Sequence, residues 1–369
     1  MRGRAATREF IDLPFRLYRD DPVWVPPLKR DVADLISPTH PFHRHAQVQL
    51  FLARGAGGRV VGRIAAIKND AHTAQHNDGV GFFGFFETER DPAIASALFD
   101  AAAAWLRARG LTVMRGPANF SVNEDCGLLV SGFDTPPFVM MPHNPQWYAE
   151  LIETYGFTKA KDLLAYWHDT PESPERITRL AHKLAERHGI TVRPLDMKRF
   201  SDEVERVRVL YNTAWEKNWG AVPMTKEEID HMAKQLKPVV VPEMVVFAEI
   251  RGETVGFGLA LPDLNVALKH MNGRLLPFGW AKALWYSRSI DRGRVLTLGV
   301  LPEHRRSGAA ELMYVAILGA AKKRGITRGE SSWILEDNML MRRALENMGT
   351  RVYKTYRLYD TRIGPSPTA

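Results

Sequence analysis

The stretch Leu298-Gly299-Val300-Leu301-Pro302-Glu303-His304-Arg305-Arg306-Ser307-Gly308-Ala309-Ala310 joins an apolar run, Val295 to Val300, to a helical pattern running from Gly308 to Arg324. A strand that ends in a turn carrying two arginines, with a glycine at the helix start, leaves backbone N–H groups unpaired at the positive end of the helix dipole. Such a turn would cradle a diphosphate. Gly308 lets the backbone approach a phosphate, Ala309 and Ala310 keep bulk away, and Arg305 and Arg306 add charge-assisted donors. The alternative is a solvated basic turn that caps a helix. No metal is expected. Cys126 is the single cysteine, and His43, His45, His72 and His76 lie in or near polar loops without a helical i, i+4 pairing to a carboxylate.

The elements around this turn occur twice. Glu153, Gly156, Lys161 and Tyr166 fall on Glu346, Gly349, Lys354 and Tyr359 at a constant offset of 193, and Val61-Gly62 falls on Val255-Gly256 at 194. Arg109-Gly110-Leu111-Thr112 pairs with Arg324-Gly325-Ile326-Thr327 at an offset of 215, so the difference of 22 residues is extra sequence between Thr112 and Glu153. Each copy reads as leading helices, a strand pair, a central strand, a long helix ending at Arg-Gly where a left-handed cap is wanted, a strand, a helix and a closing strand. The pattern predicts an α+β fold with a mostly antiparallel mixed sheet flanked by helices, present in tandem. Domains are expected at 1–168 and 177–361, with a polar, proline-bearing linker at 169–176 and a disordered tail at 362–369.

Composition sets the outer bounds. The chain has 369 residues, 45% hydrophobic and 25% charged, and a net charge of +8, with a pI near 9.5. A disulfide-stapled miniature fold and wholesale disorder are excluded. The N-terminus lacks the apolar stretch of a signal peptide and no run of 18 apolar residues occurs, so a cytoplasmic protein is expected. The positive charge suits an anionic cofactor, a membrane surface or nucleic acid alike.

Taken together, Arg305-x-x-Gly308-x-Ala310 after an apolar strand, Asn338 after the strand Gly329 to Leu335, and Gly349 before a closing strand resemble the acyl-CoA-binding core of the GCN5-related N-acetyltransferase (GNAT) superfamily. Through the repeat, the resemblance covers nearly the whole chain. It implies acetyl-CoA or a longer acyl-CoA as co-substrate. The pantetheine arm would lie along Leu298, Gly299 and Val300, the pyrophosphate on Arg305, Arg306, Gly308, Ala309 and Ala310, and Asn338 near the thiol arm. Where the family often carries a tyrosine acid, this chain has Leu345.

Transfer of an acyl group from a thioester to an amine needs a base and donors for the developing oxyanion. Candidates are Glu330, Glu336 and Tyr353, with Tyr356 as a further acid, each of which could instead be a surface or packing residue. The first copy reads Glu87-Thr88-Glu89-Arg90-Asp91-Pro92 at the matching junction, and no CoA is expected there.

Residues 264–290 contain no acid, yet carry Lys269, His270, Arg274, Lys282 and Arg288 among Leu276, Phe278, Trp280, Leu284 and Trp285. The helix expected from Gly279 to Arg288 would cover the sheet or touch lipid, making peripheral contact with the inner membrane through 266–290. The greasy insert resembles that of bacterial ceramide synthases within the same superfamily, which implies a lipid or sphingoid amine acceptor. A non-catalytic acyl-CoA sensor and a small-molecule N-acetyltransferase are the alternatives. No nucleic-acid partner is expected, and the oligomeric state is left open.

Overall fold

The computed structural model describes residues 3–170 and 172–364. It divides into two compact units. The first comprises 1–163 together with 267–286 and 354–369, and the second comprises 164–266 and 287–353.

In the first unit, the strands Ala46–Arg54, Val60–Asn69, Val80–Thr88 and Val113–Gly116 lie side by side, followed by the C-terminal strand Arg351–Arg362 and then Thr158–His168. Val80–Phe82 runs parallel to Val113–Arg115, while Ala46–Arg54 with Val60–Asn69, Val60–Asn69 with Val80–Thr88, and Val113–Gly116 with the C-terminal strand are antiparallel. The helix Pro92–Arg107 begins with Asp91 accepting from the Ala93 N–H and proline at its first position, the arrangement that satisfies one orphan donor and removes another. Its Leu98, Phe99, Ala102 and Leu106 recur at helical spacing and are buried against Ile64, Phe83 and Phe86. Burial of each such large side chain contributes about 1.5–3 kcal/mol. The extra residues form a small pair of strands, Ala118–Asn119 with Asp125–Cys126, and a strand Leu128–Ser131.

In the second unit the order is Thr158–His168 (its later half), Arg328–Leu335, Arg292–Val300, Glu253–Pro262, Val245–Ile250 and Ile190–Pro194. Met313, Ile317 and Ala321 of the helix Ala309–Lys323 pack on one sheet face with Val246, Ala248, Val255 and Ala260. On the other face lies the helix Phe200–Trp215, whose Leu210 packs with Phe247 and Phe257.

The fold class is as expected and the boundaries differ. Each unit is closed by a strand from elsewhere in the chain, so 1–168 and 177–361 do not mark the compact bodies. The expected linker shortens, because the helix Glu175–His188 starts within it. The expected tail starts too early. The last strand runs to Arg362, and Ile363 is buried; of the rest, 365–369 lie outside the described residues. The helix expected in the insert from Gly279 to Arg288 ends at Tyr286, followed by a 3-10 turn, Ser287–Ser289. Among the described residues, no helix is long and apolar enough to cross a membrane.

Candidate functional site

The strand Arg292–Val300 is half of an open fork. It pairs in parallel with Arg328–Leu335 only from Arg292↔Arg328 to Val295↔Ser331. On its other edge it stays registered with Glu253–Pro262 out to Gly256↔Val300, with an irregularity between Leu259 and Ala260. Beyond Val295 one edge of a central strand therefore has no registered partner, and Leu296 to Gly299 are partly exposed although they sit mid-sheet. Leu298, Gly299 and Val300 all lie on this free edge.

The turn that follows delivers the helix Ala309–Lys323. Gly308 caps it with φ of 93° and ψ of 3°, a backbone that favours glycine. A Cβ there would stand 2.7 Å from Leu184 Cβ, so the chain approaches too closely for any side chain. The N–H groups of Gly308, Ala310 and Glu311 meet no acceptor among the described residues, whereas that of Ala309 donates to Ser307 Oγ at 3.2 Å. Arg306 is exposed. Arg305 is engaged elsewhere, its Nη2 donating to the Ala214 carbonyl oxygen at 2.8 Å, because the end of the helix Phe200–Trp215 leaves its carbonyls unsatisfied. Arg305 thus tethers the turn to the helix Phe200–Trp215 through one of its guanidinium donors. The remaining donors, Gly308, Ala310 and the Arg306 guanidinium, fit a pyrophosphate.

Of the candidate acids and bases, the structure brings Glu330 and Tyr353 together and leaves Glu336 apart. Tyr353 donates its hydroxyl to Glu330 Oε2 and Ser332 donates to Oε1. Arg294 Nε lies 3.5 Å from Glu330 Oε1 and 2.9 Å from Ser332 Oγ. Glu330 is 1% exposed and Arg294 2%, so the two charges compensate one another in the interior. Tyr353 is only half-buried, with its ring 5.3 Å from that of Trp167. Glu336 sits past the strand, where its main-chain oxygen accepts from Arg342. Tyr356 is fully buried in the first unit.

Asn338 is a helix cap. Its Oδ1 accepts from the Met341 N–H at 3.2 Å at the start of Met339–Asn347. Leu345 is 1% exposed and packs with Tyr314, Leu318 and Leu164.

Sequence reasoning missed a buried polar trio. His168, expected as the last residue of the first domain, ends the strand Thr158–His168. Its Nε2 is 2.9 Å from Ser331 Oγ and 3.0 Å from the Tyr314 hydroxyl, and Tyr314 and Ser331 are themselves bonded. Burial lowers the His168 pKa to about 4 and raises that of Tyr314. Ser331 is the last residue paired before the fork opens. A small cavity lined by His168, Val295, Ile317, Leu318 and Glu330 lies beside it. Trp215 was missed as well; a Cβ on Gly299 would come within 2.1 Å of its ring. The only sequence signal for either was residue type, since neither adjoins the turn in the chain.

In the first unit the matching helix start is closed by the Asp91 carboxylate, which accepts from the Ala93 N–H at 2.8 Å. Glu87 is instead bonded at 2.8 Å by the hydroxyls of both Tyr18 and Tyr148, and burial raises its pKa.

No family model matches the chain. Among curated proteins it is 42% identical over 365 residues to a protein of Caulobacter vibrioides named bacterial ceramide synthase, covering 96% of this chain and 94% of that one. It is 38% identical over 365 residues to protein YghO of Escherichia coli, covering 96% and 93%. Among solved structures, a tandem GNAT protein from the clavulanic acid biosynthesis pathway matches with a TM-score of 0.57 at 15% identity, over 98% of this chain and 96% of the other. That last likeness shows the fold alone.

Proposed function

This chain belongs to the tandem GNAT-fold family that contains the Caulobacter ceramide synthase, and from that membership we propose an acyl-CoA-dependent N-acyltransferase acting on a long-chain amine. The family supports N-acyl transfer. The observation that supports the acyl-CoA co-substrate is the fork between Arg292–Val300 and Arg328–Leu335, opening beside the unengaged N–H groups of Gly308 and Ala310. The long-chain amine rests on the name of the Caulobacter relative. An extended pantetheine would complete the free edge as an added strand would, while the helix start and Arg306 hold the diphosphate.

The reaction forms a C–N bond between the amine and the thioester carbon and breaks the C–S bond. One proton leaves the nitrogen and one must reach the departing thiolate. Tyr353 can take the first while passing its own to Glu330, to which it already donates. With Leu345 in the core, the hydroxyl that serves the thiolate is Tyr314, held by Ser331 and His168. Tyr314→Phe is expected to lower kcat about 100-fold with little change in the Kd for acyl-CoA.

Two measurements test the proposal. A long-chain acyl-CoA should raise the melting temperature of the native protein and fail to do so in the double variant Arg306→Glu, Gly308→Asp. Thiol release should require a long-chain amino alcohol. A thermal response retained by the variant overturns the site, and release indifferent to amine overturns the reaction. Binding without release would select a sensor instead, a reading motivated by Leu345.

A further inference from the structure

The segment 267–286 of the first unit exposes an apolar surface that its own fold leaves uncovered. Leu276 is 73% exposed, Phe278 72%, Trp280 55%, Leu284 60% and Trp285 67%. The helix Gly279–Tyr286 that carries three of them is short and anchored beneath. Trp280 N–H donates to the Leu275 carbonyl, Gly279 lies against the Arg274 backbone, and the His270 and Tyr286 rings stack at 3.6 Å. The exposed side chains thus project from a segment whose other side is held by these contacts. Singly exposed apolar residues are ordinary; five within ten positions are not.

Beside them in the same unit is an open cavity of about 460 Å3. Arg4 and Arg8 line it from the helix Arg4–Leu17, Lys29 and Arg30 from the helix Lys29–Leu35, and Arg274 from the insert. Asp12 is the one acid in the lining, and it is taken up by Lys29 at 2.5 Å and Arg8 at 3.4 Å. Arg4 and Arg274 have no carboxylate partner among the described residues. The two features are joined mechanically. Lys29 N–H donates to the Gly273 carbonyl at 3.0 Å, which ties down the chain just before Arg274 at the cavity and Leu276, two residues further on, in the apolar patch.

We infer that the first unit docks on an anionic phospholipid surface, with the 276–285 side chains entering the acyl boundary and the basic cavity receiving a lipid phosphate. The chemistry favours this occupant over a second copy of the chain. A basic cavity next to an acid-free segment repels its own duplicate, whereas tryptophan and arginine side by side match the layered polarity of a bilayer interface. The inference stands independently of acyl transfer, although it would present the enzyme to a lipid amine.

Sedimentation with vesicles tests it. The native protein should partition onto phosphatidylcholine vesicles containing phosphatidylglycerol, less onto phosphatidylcholine alone, with binding that weakens as salt rises. The variant Phe278→Ser, Trp280→Ser, Trp285→Ser and the variant Arg4→Glu, Arg274→Glu should each lose more than tenfold in partition coefficient. Both should keep the native circular dichroism and the acyl-CoA thermal shift, which separates this inference from the catalytic proposal. Failure of the native protein to bind anionic vesicles overturns it. So does a dimer in analytical ultracentrifugation that the serine variant dissolves, since the face would then be a contact between copies.

Discussion

Arg294 and Glu330 face one another across the short parallel register, each almost wholly removed from water. Removing one partner of such a pair strands a charge, so Arg294→Met should cost about 3–5 kcal/mol in urea unfolding, and a loss below 1 kcal/mol would mean that water reaches Glu330. The pH dependence has its own signature. His168 is depressed by burial from 6.5 to about 4, so as pH falls below about 6.5 the unfolded chain takes the proton first. Stability held above pH 6.5 is then lost down to about pH 4, by about 3 kcal/mol in all. His72 in the first unit is lowered to about 4 by the same cause. The urea midpoint of His168→Gln should therefore fall less steeply between pH 6.5 and 4 than that of the native chain; parallel curves would show that His168 is hydrated. Of these residues, Glu330 and Tyr353 were nominated in the sequence by chemical type and by their places on two strands, and the structure brings them into contact. His168 was not. Its burial depends on a tyrosine and a serine 146 and 163 residues away, and no local pattern encodes that.

The turn between Arg292–Val300 and Ala309–Lys323 illustrates what an element's sequence does and does not disclose. Gly308 announced a special backbone, and it has one. What presses on that glycine, Leu184 of the helix Glu175–His188, and what presses on Gly299, Trp215, are tertiary facts. The same holds for Arg305, whose type suggested phosphate and whose nearest acceptor is a helix end. Two predictions follow at this scale. Gly308→Ala must bear both a positive φ and the Leu184 contact, and should cost about 1–3 kcal/mol with loss of the acyl-CoA thermal shift. Gly299→Ala should perturb the fork through Trp215, raising KM more than it lowers kcat, and Trp215→Ala in the same chain should restore KM. If the second change gives no relief, the Trp215 contact is not what limits the site. The helix Pro92–Arg107 was readable, since its 3.6-residue apolar spacing and its Asp91 cap act locally, whereas the start of Glu175–His188 inside the expected linker was not.

At the scale of the whole chain, the duplication was legible but the path by which each copy is closed was not. Repeats announce similarity of units; they say nothing about which unit receives a given strand. The C-terminal strand is built into the first unit. Tyr359 and Ile363 belong to its core, Arg115 and Asp360 pair through two bonds of 2.8 Å, Arg357 pairs with Asp162 at 2.8 Å, and the Ile363 N–H donates to the Thr112 carbonyl. Lys354 is 1% exposed and donates to the carbonyls of Gly132 and Thr135. A fragment ending near residue 170 would therefore carry the first repeat's sequence without the strand that completes its core, leaving Met114, Tyr148 and Phe157 partly uncovered and the Asp162 carboxylate without Arg357. Such a fragment should fail to unfold cooperatively and should bind a hydrophobic dye, while addition of a peptide spanning 351–364 should restore a sigmoidal urea transition. Deleting 354–364 from the full chain should damage the first unit at least as much as the second, read by hydrogen exchange at Ile64 and Phe83 against Ala248 and Phe257. If the 1–170 fragment unfolds cooperatively with the native denaturant slope, the strand exchange contributes little and each repeat is a self-sufficient domain.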